Sequence, residues 1–243
     1  MDPIGEFEQQ KKMNVERMGH DEQLRRLSLQ WLEESSRFKY SYNFTWLGRP
    51  IIQYPQDILA MQEIIWSYKP ELILETGIAH GGSLILHASL LELCGAGTVL
   101  GIDNDIRAHN RAAIEAHPLA RRIAMIQGSS VAPEVVAQVY AQVLGKRVLV
   151  ILDSNHSHAH VAQELQCYSP LIKRGGHLIV FDTIIEDLPN ELFADRPWGK
   201  GNNPKTAVWE FLRTNDRFIV DKELEGKLLL STAPDGYLKC IRD

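Results

Sequence analysis

Residues 72–83 read Leu72-Ile73-Leu74-Glu75-Thr76-Gly77-Ile78-Ala79-His80-Gly81-Gly82-Ser83, and Leu84-Ile85-Leu86 then opens an apolar, helix-period segment that reaches Leu93. An apolar run of buried-strand character therefore meets an acidic residue, a glycine-rich turn and a helix start. That combination makes a nucleotide cradle, because the first N–H groups of a helix lack partners and its dipole favours a phosphate or carboxylate. Gly77 allows a sharp turn, while Gly81 and Gly82 let the backbone come close to a ligand; packing of strand on helix accounts for the same glycines. A dinucleotide fingerprint requires glycine at positions 77, 79 and 82, and Ala79 breaks it. What stands is E-x-G-x-x-x-G-x-S, carried by Glu75, Gly77, Gly81 and Ser83.

Outward from this loop, short apolar runs alternate with helical segments. Thr98 to Ile102, Ile123 to Gln127, Val148 to Leu152 and His177 to Phe181 are the expected strands, with helices near 105–116, 133–144 and 158–168 between them. Gly145 and Gly175-Gly176 stand where helices should stop. The rhythm is that of an α/β fold, a parallel sheet covered by helices on both faces. Before it, Pro55 starts a helix carrying Ile58, Leu59, Met61, Ile64, Ile65 and Trp66 that ends ahead of Pro70. Asp21 to Phe38 forms an amphipathic helix with Leu24, Leu27, Trp31 and Leu32, packed on the domain's own flank or against a second copy in a homo-oligomer. Tyr40 to Pro50 is aromatic and irregular, a loop that walls a pocket or caps the core. At the far end Phe218-Ile219-Val220, Leu228-Leu229-Leu230 and Tyr237-Leu238 are expected as short antiparallel edge strands. Met1 to Phe7 reads as a vector scar, residues 8–54 as a helical and loop extension, and residues 55–243 as the main domain.

With 243 residues, 44% hydrophobic and 23% charged, the chain suits one sizeable core. Its net charge of −5 and lack of a long Lys/Arg run argue against nucleic acid or an anionic membrane as partner. Cys94, Cys167 and Cys240 are too few and too scattered for a disulfide framework or a zinc cluster, so a reducing cytoplasm fits. No apolar run approaches the roughly 18 residues of a membrane span, and no signal-peptide pattern precedes the first charges.

In sheets of this kind ligands bind outside the carboxyl ends of the strands. Asp103, closing its strand in Gly101-Ile102-Asp103-Asn104-Asp105, is placed to hold a ribose diol, with Asp105 the expected N-cap of the next helix. Gly128-Ser129-Ser130 offers small donors where an adenine edge would lie, and is equally an ordinary helix cap. The next strand ends Asp153-Ser154-Asn155-His156-Ser157-His158-Ala159-His160. Its spacing ensures no closed zinc tetrahedron, and His158 and His160 are expected on a helix start. Asp153 and His156 belong to the loop facing the cofactor. Asp182 ends the neighbouring strand, and two such carboxylates can hold Mg²⁺, which keeps most of its waters. A divalent ion acidifies an alcohol, and a histidine of pKa about 6.5 can take its proton near neutrality. The segment Asp195 to Pro204 is rich in Gly, Asn and Pro and lies where an acceptor lid belongs. Trp198, which stacks on a sugar face or packs under the loop, and Asn202 are its candidate acceptor contacts. Asn203-Pro204 then starts a helix through Leu212.

From about Trp46 to Tyr237 the chain resembles the cephalosporin hydroxylase family, which includes rhamnosyl and macrolide-sugar O-methyltransferases. The marks are ETGIAHGGS at 75–83, GIDNDIR at 101–107, LDSNHSHAHV at 152–161, FDT at 181–183, RPWGKGNNPKTAVWEFL at 196–212 and KLLLSTAPDGYL at 227–238. The resemblance implies a class I methyltransferase fold with a seven-stranded sheet and an S-adenosylmethionine loop at Glu75 to Ser83, served further by Asp103, Ser130 and Asp153. It implies Asp153 as metal ligand and His156 as general base, acting on a sugar hydroxyl of a glycan, glycolipid or glycosylated natural product. Where the family carries an acidic pair, this chain has Phe181-Asp182, so Asp153 and Asp182 are left to hold Mg²⁺ or a similar ion with one acid fewer; either Thr183, Glu186 or water fills the gap, or the ion is weakly held or absent. The rival functions are a hydroxylase or hydroxylase component, as in the family's name, and a non-catalytic binding module.

Overall fold

A computed structural model describes residues 2–243. Two helices lead, α1 (Pro3–His20) and α2 (Glu22–Ser36), followed by the hairpin β1 (Phe44–Trp46) and β2 (Arg49–Ile51) and by α3 (Pro55–Tyr68). The main domain then runs β3 (Leu72–Thr76), α4 (Gly82–Cys94), β4 (Thr98–Asp103), α5 (Ala108–Glu115), β5 (Ile123–Gln127), α6 (Pro133–Val143), β6 (Val148–Leu152), α7 (His158–Tyr168) and β7 (His177–Val180). It closes with α8 (Pro204–Thr214), β8 (Phe218–Val220), α9 (Lys222–Leu228) and β9 (Tyr237–Cys240). The sheet order is β5-β4-β3-β6-β7-β9-β8, with β9 antiparallel to both its neighbours and the remaining pairs parallel. This is the expected seven-stranded, mostly parallel α/β sheet.

Side chains two apart on each strand divide between the two faces. Ile73, Val99, Leu149, Ile151 and Ile179 join α3 and α4 in one core, while Leu72, Leu74, Leu100, Val150 and Val180 join α6, α7 and α8 in the other. Burial on both sides is why these strands read as continuous apolar runs rather than alternating ones. Each such Leu or Ile contributes about 1.5–3 kcal/mol.

Three elements differ from the expectations. The stretch 228–230 is no strand: Asp221 accepts from Leu224 N at 3.1 Å and caps α9, whose Leu224 and Leu228, four apart, face the core together. The region 40–50 contains the β1–β2 hairpin, turned by Leu47 and Gly48 at φ 45° and 86°, both on the left-handed side that a two-residue turn needs. Helix α5 begins at Ala108, so Asp105 is not its cap. Helix α1 starts at Pro3, capped by Asp2, inside the stretch set aside as a scar; residues 3–7 are exposed, and Met1 lies outside the described residues.

Helix α2 lies on the domain's own flank: Leu32 packs with Tyr54, Ile184 and Leu188, and Trp31 meets Tyr40 edge-on at 4.8 Å. The three cysteines are free, and no helix among the described residues is long and apolar enough to cross a membrane.

At the sheet's far edge Asp221 also meets His177 Nε2 at 3.0 Å, and that bond, with the Leu224 amide, holds its carboxyl below the usual range in spite of burial. A depressed carboxyl stabilises the fold above the unfolded value of about 3.9 and stops doing so as pH falls through the lower folded value. Asp221→Ala is expected to cost about 1 kcal/mol near neutrality. Asp221→Asn keeps the cap and should lose less, and melting curves should bring both variants toward the parent as pH falls below about 4.

Candidate active site

The chain leaves β3 for β4 and β5 on one side, then returns to β6 and β7 on the other, so the carboxyl ends of β3 and β6 flank the switch point where open α/β sheets bind ligands. A cavity of about 560 Å³ opens there, walled by Gly77, Asp103, Ser130, Asp153, His156 and Asp182 among others.

Gly77 sits at φ 90°, and a Cβ on it would lie 2.0 Å from the Asp153 carbonyl oxygen. Its N–H donates to Ile102 O at 2.7 Å, while Asp153 N donates to Thr76 O at 2.9 Å. The glycine is thus required by the neighbouring strand end, which it allows to close on the loop. Gly81 and Gly82 do not open room for a ligand as expected: Ile114 fills the space beside the first, and the Pro50 carbonyl, 2.1 Å from a Cβ on the second, fills the other. Ser83 lies in the first turn of α4, outside the cavity wall. Glu75 is 1% exposed and faces His87 Nδ1 at 3.2 Å inside the protein.

Asp103 lines the cavity and also shapes the loop. Its Oδ2 accepts from Ile78 N at 2.8 Å and Ala79 N at 3.3 Å, and its Oδ1 accepts from Asp105 N at 3.0 Å. The Ile78 and Ala79 amides occupy Oδ2, while Oδ1 keeps a second acceptor position for a ligand hydroxyl. A second clamp comes from outside the main domain. Arg49 on β2 donates to His80 O and to Asn110 Oδ1, both at 3.0 Å, and Asn110 Nδ2 donates to Ala79 O at 2.9 Å. These bonds hold Ala79 at φ 45°, a costly conformation for a residue with a Cβ. Arg49 and Asn110 were not foreseen, since each lies about 30 residues from the loop it holds and has no local pattern to mark it.

Ser130 is 5% exposed and caps no helix, α6 being led by Ala132 and Pro133. Its hydroxyl donates to Glu164 Oε1 at 2.5 Å and lies 3.0 Å from His160 Nε2, so α7 anchors this wall of the cavity. His160 therefore faces the pocket although it belongs to a helix. His158 does not: its nitrogens meet Thr206 Oγ1 at 2.8 Å and Glu210 Oε2 at 2.9 Å on α8.

Asp153, His156 and Asp182 converge, one ligand atom from each lying within 4.8 Å of the others. His156 Nε2 is 3.1 Å from Asp182 Oδ2. Burial, with the Asp182 charge beside it, pushes the Asp153 carboxyl well above the ordinary carboxylate range. A shielded carboxylate flanked by a second one and by no lysine or arginine among the cavity's described residues is short of a cation. Two hard oxygen donors suit a divalent ion that keeps most of its waters, so the residues present fit one. Phe181, next to Asp182, is 3% exposed and edge-on to Tyr237 at 6.3 Å, and it offers the cluster no ligand atom. Thr183 and Glu186 are spent elsewhere, the first donating to Pro234 O at 2.6 Å and the second accepting from Gly201 N at 2.8 Å.

The loop 195–204 reaches the cluster through Trp198. Trp198 meets His156 edge-on at 4.9 Å and carries the Arg196 guanidinium 5.7 Å from its ring centre, which places it beside the cluster. Asn202 instead ties the loop down: its Oδ1 accepts from His158 N and its Nδ2 donates to Pro197 O, each at 3.0 Å. Asn203 caps α8 as expected, in a reciprocal box with Thr206.

Residues 38–241 match the family model described as Rhamnosyl O-methyltransferase/CmcI. The rhamnosyl O-methyltransferase of Mycobacterium bovis is 30% identical over 201 residues, 80% of this chain and 77% of that one. The Mycobacterium leprae protein of the same name is 30% identical over 151 residues, 60% of this chain and 62% of that one. Among solved structures, CmcI with Mg and SAM is 19% identical with TM-score 0.57, covering 82% of this chain and 77% of that one. Cofactor-bound Rv0187 from MTB is 14% identical with TM-score 0.54, covering 89% and 90%. These two likenesses are of fold; the family match spans most of the chain and takes in every strand end described above. The chain belongs to the Rhamnosyl O-methyltransferase/CmcI family and is an O-methyltransferase.

Proposed function

We propose that the protein transfers the methyl group of S-adenosylmethionine to a hydroxyl of a sugar, borne by a glycan, a glycolipid or a glycosylated natural product. The observation that carries this reading is the joining, in one cavity, of a nucleoside cradle at Gly77, Asp103 and Ser130 to the Asp153–His156–Asp182 cluster. The relatives named for rhamnosyl methylation support a sugar acceptor. Asp103 takes the ribose diol, and the wall around Ser130 takes the adenine. Asp153 and Asp182 hold the divalent ion, Mg²⁺ or one like it, which supplies Lewis acidity toward the acceptor hydroxyl. His156 accepts the hydroxyl proton; the acceptor oxygen bonds to the methyl carbon as the carbon–sulfur bond breaks, leaving a neutral thioether. With Nε2 engaged by Asp182, Nδ1 is the nitrogen free to take that proton. Trp198, beside His156, borders the acceptor's place. Leu27 on α2 stays exposed, on the surface a second copy would use.

Release of S-adenosylhomocysteine in the presence of a panel of glycosides tests the reading, and oxygen uptake instead would identify a hydroxylase. With only two carboxylates to offset the ion's dehydration, Mg²⁺ should bind loosely and exchange readily. Asp182→Asn should weaken it further, by about tenfold or more in calorimetry. Turnover that survives both exhaustive chelation and Asp182→Asn would remove the ion from the mechanism.

A further inference from the structure

We propose that Gln53 receives the α-ammonium group of the cofactor's amino-acid arm, an assignment that rests on the S-adenosylmethionine reading above. Gln53 lies between β2 and α3, is 6% exposed, and forms part of the cavity wall beside Ile52 and Tyr42. Its Nε2 donates to Asp153 Oδ2 at 3.4 Å, and its Oε1 is buried with no hydrogen-bond partner among the described residues. The amide's orientation follows from that carboxylate, which only accepts: turning the amide over would set two acceptors face to face. A buried carbonyl left unpaired is costly, so the group that completes this wall is a donor.

The donor is also positive. Asp153 and Asp182 line the same cavity with ligand atoms within 4.8 Å of one another, and no lysine or arginine is among the cavity's described residues. The divalent ion meets part of that deficit from the His156 side. On the Gln53 side the missing group must be a cation that carries N–H bonds. S-adenosylmethionine has two positive centres, a sulfonium with no hydrogen to donate and an α-ammonium with three.

The cavity's other walls are already taken. Asp103 and Ser130 lie at the ends of β4 and β5 and receive the nucleoside, while His156 follows β6, Asp182 follows β7, and both must face the methyl and the acceptor. The remaining arm then runs along the wall formed by the segment ahead of α3, where Gln53 and Asp153 stand 3.4 Å apart and can share one ammonium. The N-terminal region thus supplies a recognition group to the cofactor site as well as the Arg49 clamp.

Calorimetry on the full chain with three probes tests this. The probes are S-adenosylhomocysteine, its analogue with the α-amino group replaced by hydrogen, and 5′-methylthioadenosine, which lacks the arm. The parent protein should prefer S-adenosylhomocysteine over the desamino analogue by about tenfold or more, the worth of a charge-assisted hydrogen bond. Gln53→Met, which keeps length but loses the carbonyl, should cut that preference severalfold, the Asp153 contact remaining, and leave methylthioadenosine affinity unchanged, which also reports an intact fold. Gln53→Ala should behave in the same way. A Gln53→Met protein that keeps the full preference overturns this assignment alone. A parent protein that binds none of the three overturns the cofactor reading and this assignment with it.

Discussion

Gly77→Val is expected to abolish saturable S-adenosylmethionine binding and to lower stability by on the order of 3 kcal/mol. Two effects add. The backbone at φ 90° lies where a β-branched residue is strongly disfavoured, and the new Cβ would stand 2.0 Å from the Asp153 carbonyl oxygen, well inside van der Waals contact. Relief requires the ends of β3 and β6 to part, which breaks the bond from Asp153 N to Thr76 O and moves Asp153 away from Asp182. One substitution therefore disturbs the cofactor cradle and the ion's carboxylate together. Asp103→Ala should be milder for the fold but should still weaken cofactor binding by about tenfold or more, since the Ile78 and Ala79 amides lose their shared acceptor and the ribose loses its own. Calorimetry beside melting curves separates the two variants. Undiminished affinity in both would sink the cofactor assignment.

The contrast between Gly77 and Gly82 shows how much of the site could be read from sequence. A glycine-rich turn between an apolar run and a helix identifies the cradle, because the strand's burial and the helix's period are local properties. What each glycine touches is a tertiary property: Gly77 meets β6, and Gly82 meets Pro50 on a hairpin that was expected to be irregular. The hairpin itself is turned by Leu47-Gly48 rather than by an Asn-Gly or Asp-Gly pair, so its usual mark is absent. Strand ends were legible, and Asp103, Asp153, His156 and Asp182 do reach one cavity. The groups that orient them were not, since Arg49, Asn110, Glu164 and Gln53 act across distances in sequence that leave no periodic trace. Asn202 marks the opposite failure: a polar residue in a loop over the site looks free for substrate until both ends of its amide are seen to be bonded to protein.

His156→Ala is expected to cut single-turnover methyl transfer by roughly 10²- to 10⁴-fold, the usual worth of a positioned base, while cofactor affinity stays nearly unchanged. The three histidines of residues 156–160 are separated by their partners. His156 alone touches the carboxylate pair, through Asp182 at 3.1 Å, and Trp198 stands edge-on against its ring, so its imidazole is held in one place beside the ion's ligands. His158 has both nitrogens committed to α8, and its loss should affect stability rather than chemistry. His160 contacts the Ser130 hydroxyl, so His160→Ala should show in cofactor affinity with little change in the rate from the bound state. The comparison to make is single-turnover transfer by the three alanine variants at saturating cofactor, on one acceptor, from about pH 6 to 9, the range in which a histidine base would show its titration. Equal small losses in all three would make the cluster structural. A large loss in His158→Ala alone would move the base to the first residue of α7 and leave the contact between His156 and Asp182 as part of the ion's enclosure.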